Sequence, residues 1–356
     1  MRILEVMAGA KHGGAETAFV DMCIAFAEAG QDVEVVTRAN DIRVPALEKA
    51  GLRVHTLPFG GRLDVYTPWK MTKIMQGFRP DIVQTWMARA PSKTPAWHDG
   101  MGIPHYLVVP RLGGYYNTKY FKSADYFNVI APDIGKHLVE HGVPENRVRP
   151  INNFAEVEEV ETPVSRAELD TPQEAKLLLS LGRLHPSKAF DTLIKVVARM
   201  KDVYLWIAGE GPQREELEQL IADLGVGARV KLLGWREDRA ALLQAADICV
   251  FPSRFEPFGT VFVQAWAQKT PLVTTDADGP RQFVRHEEDG LVVGVDNEAE
   301  MEAAIARMIQ DKALAANLVE NAYERYLNEF TKEKTVQAYL DYFAEIKERE
   351  GLSEAA

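Results

Sequence analysis

The sequence holds only two cysteines, Cys23 and Cys249, with no CxxC pair and no Cys/His cluster. That pattern argues against a disulfide framework and against zinc, and both thiols fall in apolar stretches of different halves, where a buried free cysteine is expected. Positive charge is in deficit. The 41 Lys and Arg against 52 Asp and Glu leave a net charge of −11, so bulk electrostatic binding to nucleic acid is excluded and only a local basic patch remains open. No apolar run approaches the ~20 residues that span a bilayer. The opening MRILEVMAG is short and runs into a Gly/Lys/His loop, which predicts a first β-strand instead of a signal peptide and a cytoplasmic protein. No internal repeat or low-complexity segment is present.

What is present is apolar content of 46%, charged content of 26% and 356 residues, enough for two soluble domains. Short apolar runs at Ile3–Met7, Val33–Thr37, Val54–Pro58, Ile82–Thr85, Tyr106–Val109 and Phe127–Ile130 predict strands. A helix is expected over Ala15–Ala29, with Phe19, Val20, Cys23, Ile24 and Ala27 as its apolar positions and Gly30 as terminator. Strands resume at Lys176–Leu181, Val203–Ala208, Val230–Leu233, Ile248–Phe251 and Leu272–Thr275, with an amphipathic helix over Arg214–Leu224. Strands alternating with helices predict parallel, doubly wound α/β sheets. The acidic, Pro-containing stretch Phe154–Gln173 predicts the connection between them. The expected organisation is a domain over 1–160, a linker over 161–172, a second domain over 173–330 and a C-terminal helix over 331–356.

The densest chemistry lies between Phe251 and Gly279. A strand leads into a Pro-Ser loop ending at Glu256, and a helix is expected from about Gly259. Phe258, Gly259 and Thr260 stand at that helix start, where free N–H groups and the positive end of the helix favour a phosphate. Gln264 follows about two turns after Glu256. Upstream, Gly182, Arg183 and Lys188 leave the end of the strand KLLLSLG. Arg grips a phosphate in two places, and Lys supplies a point charge. A diphosphate clamp with a carboxylate beside it for hydroxyl groups is the chemistry of a nucleotide-sugar donor site.

At these residues the chain resembles the retaining GT-B glycosyltransferases of family 4. The resemblance rests on GGAE at Gly13–Glu16, GRLHPSK at Gly182–Lys188, GEGP at Gly209–Pro212, LGW at Leu233–Trp235 and EPFG at Glu256–Gly259, an order that covers nearly the whole chain. It implies two Rossmann-like domains facing a cleft, with the donor on the C-terminal one and the acceptor on the N-terminal one. Arg183, Lys188 and Glu256 would be catalytic. Gly13, Gly14, Gly182, Gly211, Trp235, Arg236, Phe258, Gly259, Thr260 and Gln264 would bind the donor, and Glu16 and Arg111 would lie on the acceptor side. In the family the last helix crosses back to the first domain, and Lys334–Glu348 fits that role. A plain docked helix fits it equally. No cofactor and no metal are implied: Arg183 and Lys188 would carry the charge of the leaving diphosphate. The sequence offers no carboxylate pair of the kind that retaining glycosidases use, so a same-face attack assisted by the departing phosphate is expected. The implied partners are a nucleotide-sugar donor and a glycan or lipid-linked acceptor, such as a bacterial lipopolysaccharide precursor at the inner membrane.

Some positions depart from the family pattern. Gln264 stands where a ribose-binding glutamate is usual, and Gln282 where Glu is frequent. The histidine many members carry near the reacting centre has no clear counterpart. Trp86 and Arg111 occupy the strand ends concerned, and His12 and His105 match neither. Arg111 is either a phosphate ligand or a structural residue held by the Gly113-Gly114 turn. Asp276-Ala277-Asp278 spells a metal-binding DxD, here expected to be a metal-free loop. Trp235 and Arg236 either meet the base or pack at a domain edge. Lys119, Tyr120, Phe121 and Lys122 form either a membrane-facing patch or an ordinary amphipathic helix with solvated lysines. Two rivals share the fold: a nucleotide-sugar 2-epimerase and a non-catalytic nucleotide-sugar-binding subunit.

Overall fold

The apolar runs of the first half are strands of one parallel sheet in the computed structural model, which describes residues 1–11 and 13–352. They are β1 (Arg2–Met7), β2 (Asp32–Thr37), β3 (Arg53–Thr56), β4 (Ile82–Trp86), β5 (Leu107–Leu112), β6 (Phe127–Val129) and β7 (Val148–Pro150), ordered β3-β2-β1-β4-β5-β6-β7. β1 lies between β2 and β4, with Met7 opposite Thr37 on one side and Trp86 on the other. Its last five residues are all buried, as required of a central strand covered on both faces. Leu4, Val6, Val36, Val83 and Val108 form one core with Met71 and Met75 of the helix Tyr66–Phe78. The helix Gly14–Glu28 buries Phe19, Met22, Cys23 and Phe26, and Gly30 follows it in the left-handed region at φ 77°.

The second half builds another parallel sheet from β8 (Lys176–Leu181), β9 (Val203–Ala208), β10 (Val230–Gly234), β11 (Ile248–Phe251), β12 (Leu272–Thr275) and β13 (Leu291–Val293), ordered β10-β9-β8-β11-β12-β13. Leu178, Leu205, Ile207, Val250 and Val273 pack there with Leu193 and Val197 of the helix Phe190–Arg199.

The chain divides into Met1–Asn153 with the residues from Lys332 onward, and Phe154–Thr331. The stretch expected to act as a linker, 161–172, is instead built into the second unit. Arg166 donates to the Ala245 carbonyl at 2.7 and 3.0 Å and pairs with Asp247 at 3.1 Å. Thr171 is buried and accepts from Trp206 Nε1 at 3.0 Å. Polar composition concealed these ties, because their partners lie 35 to 81 residues further along the chain.

The tail forms the helices Glu298–Gln310, Lys312–Glu329 and Lys332–Arg349, and only the last belongs to the first unit. That helix buries Val336, Tyr339, Tyr342, Phe343 and Ile346. The Tyr339 ring meets Phe26 edge-on at 5.6 Å, and Lys347 pairs with Asp81 at 2.8 Å. Among the described residues no helix is long and apolar enough to cross a membrane. Both cysteines are buried and free.

Candidate functional site

Three glycine-containing turns meet at the carboxyl ends of β8, β9 and β10. Gly182 follows β8, and a Cβ on Gly209 would stand 1.8 Å from the Gly182 carbonyl oxygen, so Gly209 admits no other residue. The Gly209 N–H donates to the Gly234 carbonyl at 2.8 Å, and Leu184 N–H donates to the Glu210 carbonyl at 3.0 Å. Gly211 is equally constrained, since its Cβ would lie 2.3 Å from the Leu184 carbonyl oxygen. The GRL, GEGP and LGW segments are therefore one packed collar in which each shapes the next.

Lys188 and Glu256 come together beside that collar. Lys188 ends the short turn Pro186–Lys188, and its Nζ forms a short ion pair with Glu256 Oε2. Both side chains are largely enclosed, at 20% and 16% exposure. The ammonium also lies 5.5 Å from the centre of the Phe251 ring, and the lysine stem runs past Gly182. Arg183 is exposed and has no hydrogen-bond or ion-pair partner among the described residues.

Glu256 leads into the helix Thr260–Ala267 through Gly259, which adopts φ 95° and whose Cβ would collide with the Phe251 ring at 2.5 Å. The N–H groups of Gly259, Thr260 and Val261 have no protein acceptor among the described residues. They form the positive end of a buried helix, an arrangement suited to phosphate oxygens. Phe258 contributes backbone alone, because its ring is buried against Phe262 and Phe283 at 5.2 and 4.9 Å. Gln264 is half-buried on the same helix, and its side-chain amide has no partner among the described residues.

Sequence reasoning missed Arg254. Its guanidinium takes both oxygens of Asp191 at 2.9 and 2.8 Å and both of Asp296 at 2.9 and 2.7 Å through Nε. It also donates to the Pro186 carbonyl at 2.8 Å, while its own N–H donates to the Ser187 carbonyl at 2.8 Å. Asp191 and then Asp296 raise the pKa of Arg254, and Arg254 in turn holds Asp296 below the usual carboxylate range. One residue thus ties the turn carrying Lys188 to the loop carrying Glu256. The sequence signal was an Arg two residues before that Glu, legible only once Asp191 and Asp296 are near it.

The remaining candidates of the second unit have these surroundings. Arg236 is held by Asp238 through two hydrogen bonds at 2.7 and 2.5 Å, from Nε and one terminal nitrogen. Trp235 beside it is 57% exposed. Asp276 accepts from the Val295 N–H at 2.9 Å and Asp278 pairs with Arg281 at 3.1 Å. Among the described residues no group of three or more His, Cys, Asp or Glu is placed to hold a metal ion.

In the first unit, Gly13 and Gly14 stand at the start of the helix Gly14–Glu28. A Cβ on Gly14 would meet nothing within 4 Å, whereas one on Gly13 would come within 2.4 Å of Glu16 Oε2. Glu16 itself folds back to accept from the Ala10 N–H at 2.6 Å, so its carboxylate shapes the loop and does not reach outward. Arg111 also departs from the acceptor-side expectation. It is 3% exposed, donates to Tyr339 Oη at 3.1 Å and to Asn153 Oδ1, and stacks 4.0 Å from the Trp86 ring. It is a structural residue holding the last helix, not the Gly113-Gly114 turn. His105 stacks on Trp97 at 4.2 Å near the amino end of β5, and His12 lies outside the described residues. The segment around Lys119 is a single short turn, Thr118–Tyr120, and Phe121 is buried, so the expected basic-aromatic patch loses its largest apolar member.

Comparison with known proteins matches both units. Residues 161–325 fit the family model described as glycosyl transferases group 1, and residues 13–153 fit the glycosyl transferase 4-like domain. The chain is 34% identical over 94% of its length, and 96% of the relative's, to the lipopolysaccharide core biosynthesis glycosyltransferase LpsE of Rhizobium meliloti. It is 31% identical to LpsD of the same bacterium, over 96% of this chain and 98% of that one. Among solved structures, HepE of Anabaena, crystallised with UDP and glucose, superposes with a TM-score of 0.82 at 21% identity, covering 97% of this chain and 100% of that one. Two parallel-sheet α/β units with that likeness define the GT-B class. The chain belongs to the group 1 glycosyltransferases.

Proposed function

We propose that this enzyme transfers a sugar, with retention of anomeric configuration and without a metal, from a nucleotide diphosphate sugar to a growing glycan of the lipopolysaccharide core. The observation that carries the reading is the Lys188–Glu256 pair, set beside three unpaired N–H groups at the head of the helix Thr260–Ala267. Lys188, Arg183 and those N–H groups stabilise the negative charge that grows on the diphosphate as its bond to the anomeric carbon breaks. Glu256 accepts hydrogen bonds from hydroxyls of the sugar and so fixes its face. The acceptor oxygen attacks from the side the diphosphate leaves, and its proton passes to the departing phosphate oxygen. The core-glycan acceptor is taken from the names of LpsE and LpsD.

Contact with the inner membrane belongs to the same reading, at a different place from the one expected. Leu63, Val65, Tyr66 and Trp69 are 93%, 79%, 50% and 56% exposed, with Arg62, Lys70 and Lys73 exposed among them. Apolar and aromatic side chains interleaved with cations suit an anionic lipid surface.

A panel of nucleotide sugars, assayed for released nucleotide with and without a lipopolysaccharide-core oligosaccharide, tests the reaction. Acceptor-stimulated release and an NMR-assigned product with the donor's anomeric configuration are expected. Inversion refutes the retaining mechanism, while a free 2-epimeric sugar in place of transfer product refutes transfer itself. Flotation on anionic vesicles that persists unchanged in Leu63→Ser/Trp69→Ser refutes the membrane face.

A further inference from the structure

Two arginines of the first unit converge on one carbonyl, and among the described residues no carboxylate pairs with either. Arg38 follows β2, and Arg89 follows β4. Arg38 donates to the Pro58 carbonyl at 3.1 Å and the Phe59 carbonyl at 2.6 Å, and Arg89 reaches the same Phe59 oxygen at 3.4 Å. Among the described residues neither forms an ion pair. In a protein with an acidic excess, two guanidiniums held together without a counter-charge leave a local positive field. Burial and then Arg89 lower the pKa of Arg38, in keeping with that repulsion.

The backbone that holds them is strained. Phe59, its ring fully buried, has φ 43°, and Met87 has φ 63°. Residues with a Cβ seldom adopt this region, and such outliers gather where a ligand is held. Met87 lines one cavity of about 290 Å³ together with Gly9, Arg38, Arg89 and Tyr116 among others, and the Phe59 carbonyl holds its two arginines. A second cavity of about 540 Å³ shares Gly9 and Arg38 with it. The first lies past the carboxyl ends of β1 and β4, where the strand order reverses, the position at which open parallel sheets bind ligands.

We infer that this cavity binds an anionic substituent, phosphate or carboxylate, on the sugar that accepts transfer. The word acceptor rests on the reading above, but the anion site does not. Arg38 is the fixed partner, anchored by two carbonyls, and Arg89 is the exposed one that closes on the anion. Tyr116 offers an aromatic wall to the sugar ring.

The test is calorimetric titration of the intact protein with glucose 6-phosphate, glucuronate and glucose. It is repeated on Arg89→Gln, on Arg38→Gln/Arg89→Gln and on Lys188→Ala, with UDP titrated in parallel. Arg89→Gln leaves the Arg38 anchors in place, so it guards against a folding defect in the double variant. At least one anionic sugar should bind roughly tenfold more tightly than glucose. The arm that does so tells phosphate from carboxylate. That preference should fall in both arginine variants and survive in Lys188→Ala. An equal response to all three sugars in the wild type overturns the inference, as does a preference that both arginine variants retain. A preference lost only in Lys188→Ala puts the anion in the second unit and also overturns it. Failure of UDP to bind the wild type counts against the glycosyltransfer reading and leaves the sugar comparison intact.

Discussion

Lys188 and Glu256, 68 residues apart in the chain, share one ion pair, and Arg254 fixes the two backbones that present them. The turn Pro186–Lys188 has no regular element of its own beyond three residues. Its position depends on carbonyl contacts to Arg254 and on the anchoring of that arginine by Asp191 and Asp296.

Arg254→Ala should therefore lower turnover by roughly tenfold or more, because a positioned cation loses its supporting shell. Arg254→Lys should recover little, since a point charge cannot hold two carboxylates and a carbonyl in fixed directions. Steady-state kinetics check this. Turnover should fall more than KM rises, and a loss confined to thermal stability would reduce Arg254 to a scaffold residue.

Gln264→Glu should tighten nucleotide binding several-fold, by about 1 kcal/mol, if the side chain faces the ribose, because a carboxylate accepts stronger hydrogen bonds than an amide. The maximal rate should change less, the ribose being remote from the breaking bond. Calorimetry with UDP decides it, and weaker binding in the variant sinks the ribose contact.

Glu5 gives a pH dependence of stability. Burial pushes its carboxyl up to about 8, against the opposing pull of the Trp86 hydrogen bond and of Arg111. The folded state therefore keeps a proton that the unfolded chain releases, and stability should fall as pH rises from about 4.5 to about 8. Glu5→Gln retains an acceptor for Trp86 Nε1 and removes the titration. Its melting temperature should gain on the wild type progressively across that window. Parallel melting curves at pH 5 and pH 8 would contradict this.

Chelation should leave activity unchanged, because in this account protein cations carry the diphosphate charge. Loss of turnover in EDTA with recovery on Mn²⁺ or Mg²⁺ would return Asp276 and Asp278 to consideration as ligands.

Much of this was legible in the sequence. The strands Lys176–Leu181, Ile248–Phe251 and Leu272–Thr275 fall where their apolar runs predict, because buried parallel strands are short and continuously apolar. The apolar run Tyr106–Val109 stops before Pro110, yet β5 pairs on through Pro110 and Arg111 with Thr85 and Trp86. The three-residue strands β7 and β13 were not predicted from the sequence. Lys188 and Glu256 were visible because they sit in motifs with local geometry. Arg254, Arg38 and Arg89 were missed, and Arg111 stayed open between two roles, because distant contacts define them. Arg111 meets Tyr339 across 228 residues, and Arg89 shares the carbonyl of Phe59 with Arg38.

Turnover of Lys188→Ala, measured as nucleotide release from the preferred donor with acceptor present, bears on the whole mechanism. Lys188 lies in a short turn outside the strands and α-helices, so the fold read by circular dichroism should change little. Turnover should drop by roughly two to three orders of magnitude, comparable to losing one oxyanion donor. A folded Lys188→Ala with wild-type turnover would contradict the diphosphate clamp.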